Sequence, residues 1–256
     1  MTNRRIPNFK GADVHTSGQY TLINMNSVPI LQFENNEVYA STNGMTTWHI
    51  GANGHSPLAS QFSVIKNLKM WHIYNRGVFH YQGNKMIWDG LTVLGTGQVT
   101  RSGWSGNDYL AKDIIFRNVE MQNLTTGIGL STNAGYRGVT PEVPGEFHHT
   151  IENSYFRNND YDIATENLWT SSAFAENLMK RRTLIKNVTF APPVAPATRI
   201  QTIGMNYVAP PVNSVRHLVQ TDEFFVEDYN GVSTADFRLY WKEQAPSFIV
   251  PQSIIS

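Results

Sequence analysis

Three groups of residues have types and spacings that could do chemistry. His80, Arg101 and Tyr109 supply an imidazole, a cation and a phenol. Proton abstraction beside a carboxylate needs a base and a neutralising cation, so these three would serve if they converge. Asp160, Asp162 and Glu166 crowd into one short stretch, and Asp108 and Asp113 bracket another. Two carboxyls roughly 5–9.5 Å apart are what glycosidic hydrolysis requires. Asp160 and Asp162 share a face only if their segment is extended; otherwise Asp160 is a corner residue and Asp162 replaces a glycine. The same oxygens would suit calcium, although no EF-hand or repeat calcium motif frames them. Trp48, Tyr81 and Trp104 form the third group, aromatic surfaces able to stack on a flat ligand.

Other candidates are weaker on physical grounds. His148 and His149 are adjacent, and neighbours on a strand point to opposite faces, so they do not readily share one ion. Lys180, Arg181 and Arg182 form the one tight basic cluster, suited to an anionic polymer or to a solvated turn. Zinc, phosphate-loop, dinucleotide and serine-hydrolase signatures are absent. No metal site and no cofactor is therefore expected, calcium being the one cation with any candidate ligands.

Composition narrows the classes further. Lys+Arg 20 balances Asp+Glu 20 in 256 residues, which argues against a nucleic-acid partner needing a basic face. With no cysteine, disulfide scaffolds and thiolate chemistry are excluded. No apolar run approaches the ~20 residues of a membrane span. The start, Met1 to Pro7, lacks the apolar segment of a signal peptide. A cytoplasmic protein and a piece of a longer secreted chain, with partner domains elsewhere, both fit; the second is favoured.

The elements that must position these groups are short and repetitive. Ser63–Val78 reads as strand, polar turn, strand, polar bend, then Gly77-Val78 opening a third strand. The pattern returns with Asp89, Asn118, Asn153 and Asn187 in the place of Asn67, at uneven intervals of roughly 22 to 35 residues. Stacked copies would make inward columns of Ile65, Ile87, Phe116, Ile151 and Ile185, of Met70, Val93, Met121, Phe156 and Phe190, and of Val78, Val99, Ile128 and Ile163. The polar residues would bond from copy to copy at a corner. Uneven spacing implies corner insertions, at Ser102–Leu110 and Thr132–Phe147. Val28–Phe33 reads as a strand, and Ser172–Lys180 is the sole helix candidate. The expected class is all-β, a parallel β-helix. Residues 1–208 would form the coils with an irregular lead-in, and 209–256 the last coils and a cap.

With Ile65-Lys-Asn-Leu-Lys-Met, Phe116-Arg-Asn-Val-Glu-Met and Ile185-Lys-Asn-Val-Thr-Phe in view, the chain resembles the right-handed, pectin-lyase-like parallel β-helix repeat family. Trp71-His-Ile-Tyr-Asn-Arg-Gly-Val and the closing Asp236-Phe-Arg-Leu-Tyr-Trp narrow this. They resemble the C-terminal part of large secreted bacterial β-helix proteins of the G8-domain, hyaluronan-binding group. The G8 segment itself is not in the chain. The resemblance spans roughly residues 20–250 and implies an extracellular setting and contact with polysaccharide. In such folds the glycan lies along an outward face, which by alignment carries Trp48, Tyr81, Ser102 and Glu166, with Trp104 and Tyr109 on the adjoining insertion. The expectation is glycan binding by Trp48, Tyr81 and Trp104, with His80, Arg101, Tyr109 and Glu166 as catalytic candidates for a lyase or hydrolase. The alternative is a structural or adhesive module without catalysis of its own.

Overall fold

The structure, a computed structural model, describes residues 29–48, 50, 61–81, 83, 85–96, 102–106, 113–130, 147–166, 169–170, 179–206, 215–216, 219–244 and 248–254. Among these residues it is all-β, with a large parallel sheet curled nearly shut. The chain advances in similar turns. The first holds β1 (Glu37–Trp48); the second β2 (Ser63–Lys66) and β3 (Lys69–Tyr81); the third β4 (Met86–Asp89), β5 (Thr92–Leu94) and β6 (Ser102–Gly106). The fourth holds β7 (Ile114–Arg117), β8 (Glu120–Gln122) and β9 (Thr126–Leu130), and the fifth β10 (His149–Glu152), β11 (Tyr155–Arg157) and β12 (Tyr161–Glu166). After β13 (Trp169–Thr170) come β14 (Met179–Lys186), β15 (Thr189–Phe190) and β16 (Gln201–Asn206). The chain closes with β17 (Val215–Arg216), β18 (Val219–Glu227), β19 (Phe237–Gln244) and β20 (Phe248–Ile254).

Each strand pairs in parallel with its counterpart one turn on, which produces three ladders. One runs β2-β4-β7-β10-β14-β18 and then turns antiparallel through β19 and β20. The bent β3 serves the other two: Lys69–Trp71 pairs with β5, and Arg76–His80 with β6. β13 and β17 make a separate antiparallel pair. Among the described residues no helix is long and apolar enough to cross a membrane.

Apolar columns fill the interior. Met70, Val93, Met121, Phe156 and Phe190 stand in register as the sequence implies. The first column differs at one rung: Trp88, not Ile87, lies between Ile65 and Phe116. A strand alternates faces, so Ile87 is turned outward and half-buried while Trp88 is fully buried. The third column is Val78, Trp104, Ile128, Ile163 and Ile203. Ser102–Gly106, expected in an insertion, is thus a strand of the third ladder. Val99 lies outside the described residues. Burying each large side chain contributes about 1.5–3 kcal/mol before entropy is counted.

Two corners are fixed by asparagine. Asn35, Asn67, Asn118, Asn153 and Asn187 all adopt positive φ, which a short polar side chain tolerates. Asn67 Nδ2 donates to Asn35 Oδ1 at 3.0 Å, and Asn187 Nδ2 to Asn153 Oδ1 at 2.8 Å. In the third turn the left-handed position is Gly90, one residue beyond the expected Asp89. A Cβ there would sit 2.6 Å from Asn67 Oδ1, so glycine keeps the ladder intact. Asp89 still accepts from Asn118 Nδ2 at 2.8 Å. A second corner, not foreseen, joins Asn158 Nδ2 to Asn123 Oδ1 at 3.1 Å.

Other expectations are adjusted. Val28–Phe33 is not a regular strand where described; the Glu34–Lys66 bridge, the carbonyls of Ile30 and Phe33, and the Ile30 amide donating to Ser63 Oγ at 2.9 Å tie it to β2. Met179 and Lys180, placed in a helix by the sequence, open β14, because the ladder with β18 claims their backbone. The rest of Ser172–Lys180, and all of Thr132–Phe147 except its last residue, lie outside the described residues.

Candidate functional site

The first two turns expose their aromatics. Trp48 and Tyr81 end β1 and β3 in register, and alternation with the buried Thr47 and His80 aims them outward. Their rings stack with centroids 4.2 Å apart, and Trp48 remains 58% exposed. Phe79 lies 6.3 Å from Tyr81, with the Arg76 guanidinium 4.9 Å over its ring. A second pair, Tyr39 and Trp71, lies 5.5 Å apart on the preceding ladder of the same two turns. Tyr74 stands exposed between the two pairs in sequence. Beyond the second turn the positions opposite Phe79 hold Ser105, Gly129 and Ala164, all buried, so among the described residues that column carries no further ring.

Trp104 does not belong to that surface. It is 0% exposed, stacked 5.2 Å from His80 and edge-on to Phe116 at 4.8 Å. Trp104 lies in the middle of β6 and its ring enters the core, so it is closed to the ligand contact expected of it.

His80, expected as a base, is buried in the same way. Its ring is 1% exposed, Nδ1 lies 2.7 Å from Thr47 Oγ1, and Nε2 lies 3.0 Å from the Gly83 carbonyl. A carbonyl only accepts, so Nε2 carries the proton and Thr47 donates to Nδ1. Both nitrogens are occupied, and burial pushes the pKa down to about 4. A histidine so held is a neutral structural residue. Its folded pKa lies below its unfolded value, so its contribution is complete above pH 6.5 and is lost as pH falls through about 4. A His80→Gln variant should therefore lose about 2–3 kcal/mol less than the wild type between pH 7 and pH 4.5. Urea unfolding of both proteins at the two pH values measures the difference.

The remaining catalytic candidates are not brought together by the described residues. Arg101, Asp108 and Tyr109 lie outside them. Glu166 ends β12 opposite Asn206, and its side chain is likewise outside. Asp162 is fully buried, accepting from Asn159 Nδ2 at 2.9 Å, with Arg199 Nε 2.8 Å from its other oxygen. That second approach is a charge contact without hydrogen-bond alignment. Burial raises Asp162 to about 6, against the opposing pull of Asn159 and Arg199. Asp162 stands where earlier turns have Gly77, Gly103 and Gly127, the structural alternative that the sequence had allowed.

Asp160 has a different setting. It faces a cleft of ≈ 570 Å³ that Asn123, Asn158 and Pro196 also line. Its backbone is fixed by Leu124, Ile200 and Gln201, and burial alone raises its pKa. No group of three His, Cys, Asp or Glu that could hold a metal occurs among the described residues.

Sequence reasoning missed one array. Lys66, Asp89, Arg117, Glu152, Lys186 and Glu227 occupy one outward column of alternating sign. Arg117 meets Glu152 at 2.6 Å and Lys186 meets Glu227 at 3.1 Å. The signal was available, since four of these residues directly precede the anchor asparagines. Such exposed pairs contribute little each, but like charges one turn apart would repel, so the order favours this register. Arg182 of the basic cluster is paired with Glu223 at 2.9 Å. His148 accepts from the Arg182 amide while His149 is buried, on opposite faces as expected.

Comparison with protein-family models, with curated proteins and with solved structures finds no match.

Proposed function

We propose that the chain is an extracellular, right-handed parallel β-helix of the pectin-lyase-like kind that holds polysaccharide on the outward aromatic face of its first two turns. Right-handedness follows the strong chirality of parallel crossovers. The observation carrying the functional reading is the stacked Trp48–Tyr81 pair, 4.2 Å between centroids with Trp48 58% exposed. A rigid, exposed aromatic pair suits the apolar C–H face of a sugar ring, and polar neighbours such as exposed Thr46 can orient hydroxyls.

Binding is favoured over cleavage, because His80 is locked in the core and Asp162 is neutralised by Arg199. The degrading branch rests on Arg101, Tyr109 and Glu166. Incubation with neutral and uronate-containing polymers, read for retention, new reducing ends and unsaturated ends, separates the two. Retention without products is expected; products would move the reading to an enzyme, and no retention on any polymer would remove it. The alternating charge column favours a second reading, a structural or adhesive module within a larger surface protein, for which no glycan is retained.

A further inference from the structure

The Asp160 cleft lies at the corner between the second and third ladders, away from the Trp48–Tyr81 pair. Its wall comes from four successive turns: Thr96, then Asn123 and Thr125, then Asn158 and Asp160, then the segment around Pro196. The corner asparagines make the floor. Asn158 Nδ2 donates to Asn123 Oδ1, and Asn158 Oδ1 accepts from the Val194 amide at 2.6 Å. That pairing fixes both amide planes and leaves the side-chain N–H groups of Asn123 without a partner among the described residues, while its backbone amide donates to the Arg157 carbonyl. The Asp160 carboxyl also has no such partner, although its backbone amide and carbonyl are both engaged. Donors and an acceptor of defined position thus face one cleft, beside the apolar surface of Leu124, Ala195 and Pro196. Its size lies within the about 300–1,000 Å³ typical of small-molecule sites.

We infer that this cleft binds a neutral sugar, one or two residues of a glycan, with a hydroxyl pair donating to Asp160 and the Asn123 amide donating to a ring substituent. A carboxylate faces the ligand and, among the described residues, no Lys or Arg lines the cleft, so a uronate would be repelled where a neutral hexose is not. The inference deepens the polysaccharide reading by naming the sugar class, and it depends on none of the residues that carry the aromatic face.

The test is titration of the ¹⁵N-labelled chain with cellobiose, maltose and mannobiose, and with digalacturonate as the anionic control, following the side-chain amide signals of Asn123 and Asn158. At least one neutral disaccharide should move those signals, and digalacturonate should not. Asp160→Asn should weaken that binding about tenfold, the scale of one charge-assisted hydrogen bond, with the backbone spectrum otherwise unchanged. Trp48→Ala should leave it unaltered. Signals that no sugar moves, that move equally with digalacturonate, or that persist undiminished in Asp160→Asn would each overturn the inference. Polymer retention lost in Trp48→Ala while the Asn123 signals stay still would leave the aromatic reading standing and remove the cleft. The converse result would do the opposite.

Discussion

Replacing Trp104 with alanine is expected to lower the unfolding free energy by about 3–5 kcal/mol, the cost of emptying a buried aromatic site. The ring is 0% exposed, lies against His80 and Phe116, and shares a column with Val78 and Ile128. Partial collapse cannot refill it, because its neighbours above and below are fixed by ladder hydrogen bonds. Trp104→Phe should cost much less. Its indole Nε1 has no hydrogen-bond partner, so phenylalanine gives up packing and no bond. Urea unfolding of the three proteins at one pH is the check. A Trp104→Ala cost below about 0.5 kcal/mol, the range of surface substitutions, would mean that the ring faces solvent after all.

Arg199→Ala should be nearly as severe, and its cost should depend on pH. Removing one partner of a buried ion pair leaves the other charge uncompensated, at about 3–5 kcal/mol. Asp162 is fully buried and already raised to about 6 with Arg199 beside it. Its folded pKa lies above its unfolded value, so its contribution is complete below pH 3.8 and is lost as pH rises through about 6. Without Arg199 the folded pKa climbs further, so the variant should be most impaired at pH 8 and recover toward pH 5, where Asp162 is protonated. Thermal melts of wild type and variant from pH 5 to pH 8 test this. A destabilisation that is the same at both ends would show that the guanidinium acts through packing and its bond to the Ala191 carbonyl rather than through the Asp162 charge.

Trp88 and Trp104 mark where the sequence could and could not be followed. Met70, Val93, Met121, Phe156 and Phe190 were legible because each lies a constant distance after a corner, and no competing residue offers itself. At Trp88 the dipeptide Asp89-Gly90 offered two candidate anchors. Choosing the aspartate slips the rung by one residue, and a one-residue slip exchanges the two faces of a strand. At Trp104 the glycine-apolar signal occurs twice, at Gly97–Val99 and at Gly103-Trp104. Insertion length decides between them, and local pattern does not encode it. That second slip placed Trp104 outside and in the site.

The candidate site was legible in part for the same reason. Trp48 and Tyr81 sit at equal offsets from Gly44 and Gly77, so their adjacency follows from the repeat, and the structure places them in register. Tyr39 and Trp71 sit at equal offsets from Asn35 and Asn67 instead, the register shifting between Ser41 and Asn43, and could have been found. The Asp160 cleft could not, since Pro196 reaches it from the following turn and only the fold brings them together. His80 looked like a base because residue type shows no burial; Thr47 and Gly83 remove both its nitrogens from use.

The most direct test of the central claim is a matched titration of wild type and a Trp48→Ala/Tyr81→Ala variant against the polymer that wild type retains best. Both positions are at the surface end of their strands, so the variant should keep the wild-type unfolding free energy within about 1 kcal/mol. Its affinity should fall at least about tenfold, since each aromatic stack contributes about 0.5–1.5 kcal/mol beyond the area it buries. Unchanged affinity in a folded variant would contradict the account.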